Sequence, residues 1–424
     1  MNYQMMSREQ LGEELAALRR EYKEYQQMNL KLDMSRGKPS PEQLDLSMDM
    51  LKINAYKGET GIDARNYGVL EGMPEARRLF AQLMGLDAQE VIVGGNASLQ
   101  MMYYLVELGY RNGYADSPRP WKECPHIKFL CPVPGYDRHF RITEYFGFEL
   151  VSVPMTPTGP DMDVVEKLVG ADDTIKGIWC VPMYSNPEGI TYSDDTVRRF
   201  ARMRTAAPDF KIFWDNAYCV HHLTDRPDTL LNIMDECRAA GTQDRPLMFC
   251  STSKMTFSGA GVAAIGASAF NVQYILKNMF PMTISFDKIN QLRHAAFFHD
   301  KAGIEAHMEK HKAILRPKFE AVDQILREQA LPYGDIARWR MPGGGYFICL
   351  RTMPGCAARV VSLCAKAGVK MTEAGATHPY GIDPKDDTIR VAPSFPPVEE
   401  LRTATALLCL CLRIASVEKL LENV

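Results

Sequence analysis

The chain is 424 residues long, 46% hydrophobic and 24% charged, with a formal net charge of −3. Such a length buries a large core without metal or disulfide staples and suggests roughly two to three domains. The near-neutral balance argues against a strongly basic nucleic-acid binder and the apolar content against disorder, and no apolar stretch approaches the roughly 20 residues of a membrane span.

In chain order, the opening MNYQMMSREQ lacks a basic segment followed by an apolar run, so no signal peptide is expected. Ser7-Arg8-Glu9-Gln10 reads as a capping box opening a helix. Leu11, Leu15, Leu18, Tyr22 and Tyr25 then repeat at helical spacing, which predicts a face docked on the rest of the protein. Residues 33–47, rich in Gly, Pro and Ser, read as a loop. Seven short apolar runs follow, at 91–95, 127–132, 149–155, 175–182, 210–216, 246–253 and 263–268, with helical stretches between them such as 98–108, 161–168 and 194–204. This alternation predicts an α/β fold: a mostly parallel sheet of about seven strands covered by helices, binding ligands beyond the carboxyl ends of its strands. After about residue 300 the pattern changes to a long helix over 301–329, strand candidates within 337–342, 345–350 and 388–394, and helices over 356–367 and 397–422, a smaller α+β unit. The expected division is 1–50 as an N-terminal helix and arm packed with the small domain, 51–300 as the large ligand-binding domain and 301–424 as the small domain.

The eleven cysteines are scattered from Cys124 to Cys411 with no C-x-x-C pair. They read as reduced thiols of a cytoplasmic protein, and zinc spacing is absent, so no metal site is expected.

Four segments carry chemistry. Lys254, in Ser251-Thr252-Ser253-Lys254, lies between an apolar strand and a small-residue loop. It is either a solvated charge or an amine of lowered pKa able to form a Schiff base, with the serines free to hold a phosphate. Asp215 follows Ile212-Phe213-Trp214. A carboxylate so placed either caps a turn or needs a cationic partner, and a protonated pyridine nitrogen would serve. Asn186, in Val181-Pro182-Met183-Tyr184-Ser185-Asn186-Pro187-Glu188-Gly189, sits in a turn, where it can also donate to a phenolate oxygen. Gly94-Gly95-Asn96-Ala97-Ser98 joins a strand to a helix start, which is an ordinary turn or, through free N–H groups and the helix dipole, an anion site.

The order N-P-x-G, D-x-x-Y, S-x-S-K and a late I-R-V, set on alternating strands and helices, resembles the fold-type I PLP-dependent aminotransferases. The segments SRGKPSP, GGNASLQ and SKMTFSGAGVAA resemble most the bacterial aspartate-aminotransferase-like subgroup called class Ic. The resemblance implies pyridoxal 5'-phosphate as cofactor and transamination between an L-amino acid, aspartate first, and a 2-oxo acid such as 2-oxoglutarate. By that resemblance Lys254 forms the Schiff base and moves the Cα proton, and Asp215 pairs with the pyridinium nitrogen. Asn186 and Tyr218 bond the phenolic oxygen and Tyr136 stacks on the ring. Asn96, Ala97, Ser98, Ser251 and Ser253 hold the phosphate. Tyr67 reaches the phosphate of a neighbouring subunit, which implies a homodimer with shared sites. Arg390 clamps the substrate α-carboxylate, and Gly37 lies close over the substrate. A dicarboxylic substrate needs a second cation; Arg36 is the first candidate, with Arg138 and Arg293 behind it, and a bland alternative for Arg36 is a salt bridge to Asp33 or Glu42. One position departs from the family: Val262 stands where many members carry a phosphate-binding arginine. A lyase on the same fold is the alternative activity. An effector-binding regulator fits less well, because only about thirty residues precede the SRGKP loop. Neither nucleic acid nor membrane is expected as a partner.

Overall fold

The computed structural model describes residues 2–422. An eight-stranded sheet runs in the spatial order Val91–Val93, Ala263–Gly266, Pro246–Ser251, Lys211–Asp215, Ile175–Cys180, Lys128–Val133, Glu149–Thr156, Gly159–Pro160. The five strands from Pro246–Ser251 to Glu149–Thr156 are mutually parallel, and Ala263–Gly266 runs against both neighbours. All seven apolar runs are strands; the eighth, Gly159–Pro160, is a two-residue hairpin return too short to show a pattern.

The central strands read as unbroken apolar runs because both faces are covered: every residue of Ile175–Cys180, Lys211–Asp215 and Pro246–Ser251 is buried. Successive side chains alternate between two cores. Trp214 packs with Phe200, Leu79 and Val165 on one face, Phe213 with Leu105, Trp121 and Ile275 on the other. The two lysines inside these strands are paired: Lys176 with Asp209 at 3.0 Å and Lys211 with Asp116 at 2.7 Å.

A third core lies around the antiparallel sheet Ala337–Trp339, Ile348–Thr352, Thr388–Val391. The first helix, Arg8–Gln27, belongs to it. Ser7 Oγ accepts from the Gln10 N–H and Gln10 Oε1 from the Ser7 N–H, closing the expected capping box, and Leu11, Leu15, Leu18 and Tyr22 are buried beside the helix Val398–Glu422. Burying each leucine stabilises the dock by about 1.5–3 kcal/mol. The segment read as a loop is partly ordered otherwise: Leu32–Asp33 pairs in parallel with Val369–Lys370, and Pro41–Asp45 is a short helix. Ser40 and Gln43 form a second capping box there, a signal that the surrounding Gly and Pro masked.

The 29-residue helix Lys301–Gln329 serves two cores. Ile304 and Met308 pack under the large sheet, whereas Leu315, Phe319, Val322 and Leu326 pack in the third core, and Pro317 sits within the helix. Among the described residues no helix is long and apolar enough to cross a membrane, no group is placed to hold a metal ion, and all eleven cysteines are free.

Candidate active site

Asp215 ends strand Lys211–Asp215 and Ser251 ends strand Pro246–Ser251. Tyr218 follows Asp215 in the same segment, and Asn96, Tyr136 and Asn186 each follow the carboxyl end of another strand, so the sheet gathers five separated segments at one edge.

Asp215 is 4% exposed. Its Oδ2 lies 2.9 Å from His139 Nε2, while Oδ1 is buried and has no hydrogen-bond partner among the described residues. An unpaired buried carboxylate oxygen is costly, about 1–3 kcal/mol or more, so this atom is aimed at a missing donor. His139 comes from the helix Asp137–Tyr145 and is fixed by rings on two sides. Trp179 stacks on it at 4.6 Å, and Tyr136, three residues earlier, meets it edge-on at 4.9 Å. Sequence reading passed over His139; its place three residues after Tyr136 at a helix start was the available signal.

Lys254 stands in the turn beyond Ser251, its Nζ 5.1 Å from the Tyr218 ring centre and 5.9 Å from that of Tyr346. Desolvation lowers its pKa, and the negative charge of Asp215 opposes that shift. The backbone around it is anchored from several elements. Thr252 exchanges bonds with Val262, its N–H donating to the Val262 carbonyl and its Oγ1 accepting from the Val262 N–H, both at 2.9 Å. Thr252 Oγ1 and Thr256 Oγ1 lie 3.1 and 2.9 Å from His294 Nε2. His307 Nε2 lies 2.9 Å from the Met255 carbonyl, and Tyr346 Oη donates to the Lys254 carbonyl at 3.4 Å. Burial pushes His294, and His311, whose Nε2 lies 3.2 Å from His307 Nε2, down to about 4. Tyr218 is pushed well above the phenol range by burial and by the neighbouring Tyr136 and Asp215. Burial also raises Tyr136, to about 12.

At the other end of the cleft, the helix Ser98–Arg111 opens at Ala97 with no side chain capping it, so its first N–H groups stay available to an anion. Gly95, at φ 71°, makes the turn into it, a conformation that favours glycine. Ser251 Oγ donates to Ser253 Oγ at 3.1 Å and Ser253 Oγ to the Asn96 carbonyl at 3.4 Å, drawing the two serines to the same turn. Asn290 Nδ2 fixes the facing loop through the Ala260 and Gly261 carbonyls, at 2.9 and 3.2 Å. Val262 is buried and lends this cup no charge.

Arg390 approaches from the small sheet. Its Nη1 donates to Asp137 Oδ1 at 2.9 Å and to Asn186 Oδ1 at 3.4 Å, its Nε to Thr372 Oγ1 at 3.4 Å, and its guanidinium lies 4.9 Å from the centre of the Phe347 ring. Asp137, Thr372 and Phe347 were not singled out from sequence; long-range pairing leaves no local pattern. Gly37 faces the same ring, where a Cβ would overlap Phe347.

Four candidates remain: Tyr67, Arg36, Arg138 and Arg293. Tyr67 is 80% exposed. Arg36 is exposed and forms no salt bridge with a described residue: Asp33 accepts from Ser35, and Glu42 lies 3.8 Å from Lys318. Arg138 is exposed and lines an outer cavity with Ala97, Tyr103 and Tyr145. Arg293 is half-buried, and its Nε is without a partner.

Comparison with known proteins gives a consistent result. The sequence model of the family described as aspartate amino-transferase matches residues 6–424. The chain is 50% identical to a provisionally assigned aminotransferase of Mycolicibacterium smegmatis, over the full length of both. It is 45% identical to an aspartate aminotransferase of Corynebacterium glutamicum, covering 95% of this chain and 93% of that one. The solved structure of an aspartate transaminase from Corynebacterium glutamicum superposes with a TM-score of 0.96 at 43% identity, covering 99% of both chains. An α-aminoadipate aminotransferase from Thermus thermophilus, solved with N-(5'-phosphopyridoxyl)-L-leucine, shares the fold at 18% identity, with a TM-score of 0.74 over 92% of this chain and 93% of that one.

Proposed function

The chain belongs to the aspartate aminotransferase family, and from that premise we propose that it binds pyridoxal 5'-phosphate and moves an amino group between L-aspartate and a 2-oxo acid such as 2-oxoglutarate. The observation that carries this reading is Asp215: one carboxylate oxygen is held by His139 and the other is buried without a partner among the described residues, where it would accept from a protonated ring nitrogen. Bound there, the cofactor supplies an electron sink for the charge left on the substrate Cα.

The chain's own residues have the following parts. Lys254 Nζ, with its pKa lowered by burial, would bind the cofactor and move the proton between the substrate Cα and the cofactor C4′. Tyr218 Oη and Asn186 Nδ2 donate to the phenolic oxygen; Asn186 Oδ1 is engaged by Arg390, which leaves its amide free to do so. Tyr136 covers the ring face. The N–H groups of Asn96, Ala97 and Ser98 and the hydroxyls of Ser251 and Ser253 hold the phosphate by dipoles, since Val262 brings no cation. Arg390 binds the α-carboxylate, beneath the segment of Gly37, and Arg36 the distal carboxylate of a dicarboxylic substrate. Tyr67, with four-fifths of its surface exposed, reaches the phosphate site of a second copy, so the working unit is a homodimer. The proposed division is 1–50, 51–300 and 301–424, supported by the first helix packing in the core of the small sheet. Eleven free thiols agree with a cytoplasmic location.

The test is a panel of amino donors with 2-oxoglutarate, reading glutamate formation. Acceptor-dependent glutamate, greatest with aspartate, is the expected result. Ammonia and a 2-oxo acid formed without any acceptor would point instead to a lyase.

A further inference from the structure

Arg390 is assigned to a substrate carboxylate, yet as folded it is already matched by one of the protein's own. Its Nη1 and Asp137 Oδ1 are 2.9 Å apart, with side chains 9% and 32% exposed respectively. The same nitrogen also donates to Asn186 Oδ1 at 3.4 Å, so both its hydrogens are committed. No described residue accepts from Nη2. A bidentate fork onto an incoming carboxylate uses two guanidinium nitrogens, and the end-on fork requires Nη1. Asn186 Oδ1 is neutral, but Asp137 is a second carboxylate, and two carboxylates on one nitrogen repel. Of the ion pair, Asp137 is the partner free to leave. It is one-third exposed at the start of the helix Asp137–Tyr145 and can turn to water, whereas Arg390 is buried in strand Thr388–Val391 between Phe347 and Thr372.

We propose that Asp137 is the internal counter-ion of Arg390, displaced by every substrate α-carboxylate and restored as every product leaves. The proposal rests on the reading that Arg390 takes the α-carboxylate. It makes Asp137 a positioning residue acting through Arg390. An interaction present only in the substrate-free form weakens binding by the factor it stabilises that form. Asp137 therefore sets a common ceiling on affinity for donors, acceptors and products alike, and it spares the buried guanidinium from standing uncompensated between turnovers.

The test compares PLP-loaded wild type with Asp137→Asn and Asp137→Ser. Four quantities are measured: KM for aspartate, KM for 2-oxoglutarate, and the dissociation constants of acetate and of propionate, which carry a carboxylate but no amino group, read by thermal shift. Removing the competing charge should lower all of them together by about three- to tenfold, the range for a partly exposed pair. It should also lower the melting temperature without ligand. A structural role for Asp137 predicts the opposite: KM and monocarboxylate constants rise because Arg390 loses its orientation. Rising or unchanged constants in the folded variants overturn the proposal, and the Ser variant decides the matter if the Asn variant does not fold. A wild type that transaminates nothing would instead sink the functional reading.

Discussion

Asp215 and Arg390 face the same cleft and are finished differently. Asp215 is nearly sealed from solvent, locked to His139 through one oxygen and unsatisfied at the other. Arg390 is also buried, but Asp137, Asn186 and Thr372 already accept from its Nη1 and Nε, and Asp137 balances its charge. The first arrangement leaves a standing deficit that a resident group removes. The second leaves its charge already balanced, so a carboxylate that binds there displaces Asp137 and is released again. Under the proposed transamination, the carboxylate end would keep a resident occupant and the arginine end would exchange its occupants at each half-reaction.

The sharpest way to break the contrast is at Lys254, on the resident side. Lys254→Ala should lose the visible absorption of bound PLP and lower turnover by at least about a hundredfold to ten-thousandfold, the span of general acid–base catalysis; normal turnover in that variant would remove Lys254 from the mechanism. On the exchanging side, Arg390→Ala should lower kcat/KM for every donor by roughly thirtyfold to several thousandfold, the effect of truncating a buried charge partner, while PLP stays bound. Loss of cofactor there would show that the two ends are not separable. Arg36→Ala should lower kcat/KM by about tenfold for aspartate and glutamate but not for alanine, because Arg36 is exposed and screened where Arg390 is not. An equal loss for all three donors would reject its assignment to the distal carboxylate.

The smallest effect concerns acid. His294 and His311, which support the Lys254 turn, are held at about 4 against an ordinary 6.5. Their depressed values mean the unfolded chain takes up these protons first as pH falls. The stability is fully present above about 6.5 and is lost progressively down to about 4, by roughly 3 kcal/mol per histidine at most. Melting temperature against pH should fall across that window, and His294→Gln should flatten part of the slope while lowering stability at neutral pH. A wild-type curve level between pH 6.5 and 4 would show that the two imidazoles gain partners on protonation.

The residues legible in the sequence are those whose neighbours in the chain define them. Seven apolar runs became seven strands, and Asp215, Ser251 and Asn186 were found because each stands at or just past the end of one. His139 and Asp137 were missed although they touch the two most telling side chains, because Asp137 meets Arg390 from 253 positions away and nothing local marks it. The arm 33–47 was misread for a different reason. Gly37 and the prolines hid the Ser40–Gln43 capping box, and the Leu32–Asp33 strand is two residues long, made by its partner rather than by its own pattern.

Pro317 has no N–H to give to the carbonyl of Ala313. The helix Lys301–Gln329 therefore lacks a rung between its anchor at Met308, under the large sheet, and its anchor at Phe319, beside the small one. A rod is most compliant where a rung is absent. A load that tilts the small sheet, and with it Arg390, against the large sheet and Lys254 concentrates its bending there, and the packing at both ends of the rod is spared. Pro317 thus marks the most compliant point of a helix that packs in both cores.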